Sequence, residues 1–210
     1  MKKFITTIPL QITGELDSCI YEAADNSKLQ YNKKIAFPIR AVMNAYLKEG
    51  EQIFIYKIRQ DDSRTIENNI LFEQQVKEFE KERNCQCVIE EILIKNDELI
   101  STHLETFEKL IEKFDQEETK LYACITYGTK PVPIIEMIAI NYACRALGKT
   151  TLECVVYGWY RFKTKEAKVF DITSLFYLDE IVRNAADMNV ADPLVFMKDV
   201  LTLQETGDEE

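Results

Sequence analysis

Residues 121–143, "LYACITYGTKPVPIIEMIAINYA", decide the fold. An apolar run over 121–125 has the length of a strand. It stops at the polar knot Thr126-Tyr127-Gly128-Thr129-Lys130. Two prolines, Pro131 and Pro133, then lead into an apolar stretch of helical character. Both segments are apolar nearly all round, the pattern of elements at the centre of a parallel sheet covered on both faces.

Working outward, the spacing predicts further strands at 4–8, 52–58, 85–94, 152–158 and 168–172. It predicts helices over about 38–48, 63–83, 96–114, 131–147, 174–186 and 193–203. Pro38 opens the first helix and Gly50 closes it, proline in and glycine out. Ser63 caps the second, whose core face is Phe72, Val76 and Phe79, and Ile100, Leu104, Phe107, Leu110, Ile111 and Phe114 share a face of the third. Strands alternating with helices imply an α/β protein: a Rossmann-like, doubly wound, mainly parallel sheet with C-terminal helices. Residues 11–36 are polar and irregular, and "YEAADNSKLQY", with Asp25-Asn26-Ser27 at its middle, reads as a hairpin insertion. The sheet domain is expected over 1–172, followed by a helical extension over 173–210 whose end, "QETGDEE", frays.

Composition narrows the classes of function. The chain has 210 residues, 46% of them apolar, enough for one buried core. No apolar run approaches the roughly 18–20 residues that cross a bilayer. The terminus "MKKFITTIPLQ" is broken by Thr6, Thr7 and Pro9, so a cytoplasmic protein without a signal peptide or membrane contact is expected. Six cysteines lie mostly in apolar runs, where a thiol behaves as a small hydrophobe. Cys85-Gln86-Cys87 lacks a second pair, and the one histidine, His103, is remote, so no metal is expected. A net charge of −10 argues against a grip on long nucleic acid. It leaves room for a small anion held by local donors, because charge effects are screened beyond about 8–10 Å at physiological salt.

Ligands of open α/β sheets bind beyond the carboxyl ends of strands, where connections diverge. The polar knot lies at such an end. Gly128 permits a tight turn, Thr129 is placed to cap the next helix, Pro131 suits its first turn, and Lys130 adds a mobile cation. The same residues also suit a plain turn and cap with Lys130 in solvent. The knot is neither a Walker loop nor a GxGxxG fingerprint, which argues against a nucleotide-cofactor dehydrogenase. Thr6-Thr7 and Pro9 close the first strand, which a doubly wound sheet commonly places beside the fourth. The two threonine pairs would then face each other across one crevice suited to ribose and phosphate.

A resemblance enters with these residues. "ACITYGTKPVPIIEMIAINYA" resembles the signature strand-loop-helix of CARF domains, the Rossmann-like sensors of type III CRISPR systems. "KKFITTIPLQ" is similar to the family's other ligand loop, and "KVFDITSLFYLDEIV" resembles the segment that closes many such domains. Cys124 stands where many relatives carry an acidic residue. The resemblance implies a homodimer whose two-fold axis runs through a shared pocket for a cyclic oligoadenylate, a tetra- or hexa-adenylate, with no further cofactor. Thr6, Thr7, Ile8 and Pro9 would line it from the first strand, and Thr126, Tyr127, Gly128, Thr129, Lys130 and Pro131 from the second loop. The helix from Pro131 would lie near the axis, with Ile134, Ile135 and Ile138 facing its mate or its own sheet.

Two functions follow from this resemblance. The first is a sensor controlling a linked or separate effector in antiviral defence. The alternative is a metal-independent ring nuclease, in which a ribose 2′-hydroxyl attacks its own 3′-phosphate while Lys130, Thr129 or Thr7 orients the group and stabilises charge. Tyr127, Trp159 and Tyr160 are candidates to stack on adenine, and Arg161 is a second candidate cation. Some forty residues after 172 are too few for a catalytic domain, and Asp179, Glu180, Asp187 and Asp192 have the spacing of a solvated helix face.

Overall fold

Seven strands form one sheet in the order β2-β7-β6-β5-β1-β3-β4 in the computed structural model, which describes residues 1–10, 16–114 and 117–206. The strands are β1 (Lys2–Thr7), β2 (Glu22–Ala23), β3 (Gln52–Gln60), β4 (Gln86–Ile94), β5 (Thr119–Cys124), β6 (Thr150–Arg161) and β7 (Glu166–Asp171). The helices are α1 (Ile39–Tyr46), α2 (Ile66–Arg83), α3 (Ile100–Ile111), α4 (Pro131–Ala146), α5 (Thr173–Asp187) and α6 (Pro193–Thr206). All pairings are parallel except β6 with β7, a tight hairpin whose turn residue Lys165 takes a left-handed φ of 56°. The α/β, doubly wound class is therefore the observed one.

The chain divides into two compact units, Met1–Ile172 and Thr173–Glu210. In the first unit, helices cover both faces of the sheet. On one face, Phe4 of β1 stacks on Tyr122 of β5 with centroids 4.6 Å apart. Phe37 meets Phe72 edge-on there, above buried Ile53 and Ile55 of β3. Each such fully buried side chain contributes about 1.5–3 kcal/mol relative to exposure. On the other face α3 packs on α4, joined by the edge-on pair Phe107 and Tyr142. The second unit consists of α5 and α6.

Three local expectations differ. Within the stretch 11–36, residues 11–15 lie outside the described residues; the rest is closed around Asp25-Asn26-Ser27 by a single antiparallel bridge, Cys19 with Ile35, and not by a two-stranded ladder. Glu22–Ala23 pairs in parallel with β7 instead, supplying partners for an edge that would otherwise be bare. Asn26 and Asp25 fasten the loop there: the Asn26 amide donates to Asp171 Oδ2 at 2.7 Å, and the Asp171 amide donates to Asp25 Oδ1 at 2.9 Å. Ser63 does not cap, because it lies inside a 3-10 turn capped by Asp62, whose carboxylate accepts from the Arg64 amide. Finally α1 ends at Tyr46, four residues before Gly50, whose amide donates to the Asn84 carbonyl. The acidic end beyond 206 lies outside the described residues.

Candidate functional site

β1 and β5 lie side by side, Thr6 opposite Cys124. By way of the short edge strand β2, the chain passes from β1 through α1 to β3 on one side of the pair, and from β5 through α4 to β6 on the other, so the carboxyl ends of β1 and β5 form the switch point of the sheet. The loop 126–130 crosses it. Gly128 sits at φ +104°, and a Cβ there would stand 3.2 Å from both Thr7 Cγ2 and Val132 Cβ. Left-handed backbone and close packing both require glycine.

The start of α4 offers fewer donors than the capped helix end expected from sequence. Lys130, not Thr129, occupies the cap position, and no side chain caps it. Pro131 and Pro133 carry no N–H, and the Val132 amide already donates to the Thr129 carbonyl at 2.9 Å. What remains belongs to the loop itself: among the described residues, the amides of Gly128 and Thr129 donate to nothing. The Thr129 hydroxyl is buried without a partner, and Lys130 is exposed with no ion pair among the described residues.

The other half of the expected crevice is closed. Neighbouring residues of a strand point to opposite faces, so Thr6 and Thr7 cannot line one cleft together, and both are buried. The Thr7 hydroxyl donates to Glu136 Oε1 of α4 at 2.5 Å. Ile8 is buried and its amide donates to the Ile58 carbonyl, while Pro9 is buried and its carbonyl accepts from Asn68 at 2.9 Å. In the single chain, the first-strand candidates lie beneath the site rather than in it.

The open space lies towards β6. A cavity of about 300 Å³ is lined by Asp17, Thr126, Tyr127, Gly158, Tyr160 and Phe162, among others. The Gly158 amide donates to Thr126 Oγ1 at 2.7 Å and fixes that hydroxyl. A Cβ on Gly158 would stand 2.3 Å from Pro38 Cγ, so only glycine lets α1 approach β6 here. Tyr160 donates to Asp17 at 2.5 Å, and this bond, with some burial, pushes its phenol up to about 12. Phe162, 78% exposed, meets Tyr160 edge-on.

The remaining candidates separate. Tyr127 is anchored, its hydroxyl donating to the Ala36 carbonyl at 2.7 Å while its ring meets Phe37 edge-on. Trp159 alternates to the opposite face from Tyr160, under the Arg161 guanidinium at 5.0 Å, and Arg161 also pairs with Glu166. Asp179 pairs with Arg183 one turn on, and Asp192 accepts from the Val195 amide. Cys85 and Cys87 pack against the core, and among the described residues no three His, Cys, Asp or Glu side chains converge on a metal position.

Beside the loop runs an apolar groove of about 390 Å³ between α3 and α4, lined by Ile100, Leu104, Phe107, Pro131, Ile134 and Ile138. Ile134 and Ile138 are more than half exposed, whereas Ile135 packs inward. Sequence reasoning passed over Glu136, Gly158 and Phe162. A lone carboxyl in an apolar helix and a glycine inside a strand were the available signals for the first two. Phe162 carried none.

Compared with known proteins, the chain matches no family model and no curated sequence. Among the described residues, no helix is long and apolar enough to cross a membrane.

Proposed function

We propose that the chain is a cyclic oligoadenylate sensor of the CARF type, binding its ligand at the switch point as a homodimer. The observation that carries this reading is the adjacency of β1 and β5 beneath a glycine loop with unengaged amides and a free lysine. The loop amides and Lys130 suit a phosphate, and the exposed face of Phe162 with Tyr160 suits an adenine in the neighbouring cavity. Ile134 and Ile138 suit a mate, since a ring of identical nucleotides matches an isologous two-fold interface. Binding would shift the dimer between two arrangements according to its affinity for each, and so control a linked or separate effector.

Ring opening is the second reading, favoured by the unpaired ammonium of Lys130 beside the unpartnered Thr129 hydroxyl. Thr7 is a poor candidate for it, because Glu136 holds its hydroxyl. The test mixes purified protein with radiolabelled cyclic tri-, tetra- and hexa-adenylate without metal and scores retention on a native gel and linear product over hours. The sensor retains one ring intact. Linear product that disappears in Lys130→Ala makes the chain a ring nuclease, and neither retention nor cleavage of any ring overturns both readings.

A further inference from the structure

Glu136 is the single charged residue between Lys130 and Arg145, and it is wholly buried on the inner side of α4. A buried ionised carboxylate needs a cation or several donors. Glu136 has one donor, the Thr7 hydroxyl, and its Oε2 meets no partner among the described residues. Burial pushes the carboxyl up to about 8, with the Thr7 bond acting in the opposite direction.

The place of this acid in the fold matters more than its isolation. Thr7 joins it to the loop: the hydroxyl bonds Glu136 while the methyl faces Gly128, 3.2 Å from where a Cβ on that residue would stand. Val132, one turn before Glu136, closes the same spot from α4. A continuous column of contacts therefore runs from the buried acid through β1 to the loop at the switch point.

We propose that Glu136 is a positioning residue for this loop, a neutral acid that fixes Thr7 beneath Gly128 and keeps negative charge away from an anion bound above it. Losing its proton places an uncompensated charge under the loop and weakens anion binding. The proposal rests on the phosphate-binding reading of the loop and adds a regulator to it.

Other charged groups on this face leave Glu136 isolated. From β1, Lys3 points its ammonium to the Lys113 carbonyl at 3.0 Å, four residues back along the strand from Thr7. From β5, Cys124 lies on the opposite face with Thr6; its thiol is pushed up to about 11, mainly by burial, with Glu136 adding to the rise. From α3, His103 lines the outer groove and faces Glu98 at 3.6 Å. From β6, Glu153 pairs with Lys120, and Tyr157 is exposed. On α4 itself, Lys130 and Arg145 are exposed.

The test follows the Gly128 α-carbon by NMR from pH 6 to 10 in the ligand-free native chain and in Glu136→Gln, which keeps the shape and stays neutral. The Gly128 signal should move with a midpoint near 8 in the native chain and stay still in the variant. Should Glu136→Gln not fold, Thr7→Ser, which keeps the hydroxyl and removes the methyl against Gly128, should shrink the same shift. In a second arm, cyclic tetra- and hexa-adenylate binding should weaken about tenfold between pH 6.5 and 9 in the native chain and stay within about twofold in Glu136→Gln, as proton linkage requires. A Gly128 signal that ignores this titration, or moves alike in both proteins, overturns the proposal, as does equal pH dependence of binding. If Gly128 titrates as expected but no adenylate binds at any pH, the ligand reading fails while the coupling of Glu136 to the loop stands.

Discussion

The carboxyl ends of β1 and β6 flank the same central strand, β5, yet they are built in opposite ways. The end of β1 carries two hydroxyls and is shut: Thr6 and Thr7 are buried, and Thr7 is spent on Glu136. The end of β6 carries Gly158, Tyr160 and Phe162 and is open, because glycine there lets Pro38 close in on one side while the aromatics stand off on the other. A polar strand end is thus no guide to where open space lies. One end supports the loop from beneath, and the other walls the space beside it.

Four substitutions sharpen or break that contrast. The largest effect is expected at Glu136 and depends on pH. Its folded value, about 8, lies above the 4.5 of an ordinary glutamate, so the folded state holds the proton over a range where the unfolded chain releases it. The stability this contributes is complete below about pH 4.5 and declines by about 1.4 kcal/mol per pH unit up to about pH 8, flat beyond. Denaturant melts of Glu136→Gln should lack that decline, gaining on the native chain by several kcal/mol at high pH; parallel curves would mean Glu136 is not the buried acid described.

At the open end, Gly158→Val drives a side chain into Pro38 and should cost about 3 kcal/mol in the same assay, since Cβ overlap with a ring carbon forces backbone to move. A cost near zero would show that α1 does not press on β6. At the closed end, Thr7→Val removes the one donor to Glu136 among the described residues and should cost about 1–3 kcal/mol, the penalty of an unsatisfied buried polar group. Lys130→Ala should change stability by less than about 0.5 kcal/mol, since its side chain is exposed and unpaired. Its consequence should fall on ligand retention alone.

Much of the fold was legible because hydrophobic period and punctuation agreed. The apolar run at 121–125, the Gly128 break and the paired prolines located β5, its turn and α4, and alternation of strand and helix gave the parallel sheet. The adjacency of β1 and β5 followed from doubly wound connectivity. β2 escaped because two residues carry no period, and its pairing depends on β7, about 145 positions away by way of the Asn26–Asp171 bond.

Within the loop 126–130, the sequence pattern assigned Thr129 a cap it does not make. Two prolines and the Thr129–Val132 bond leave the helix end little to cap. It also read Thr6 and Thr7 as one surface, although strand alternation sends them to opposite faces. Glu136 was the clearest missed signal, since an acid surrounded by Ile134, Ile135, Met137 and Ile138 must either be exposed or find a buried partner, and helical phase alone did not decide which.

The central claim is that an anionic adenylate ring lands on loop 126–130. Hydrogen–deuterium exchange of the native chain, measured with and without cyclic tri-, tetra- and hexa-adenylate, addresses it most directly. One ring should slow exchange over 126–130 and along the start of α4, with no such change in Lys130→Ala. Protection confined to other segments, or none with any ring, would contradict the account.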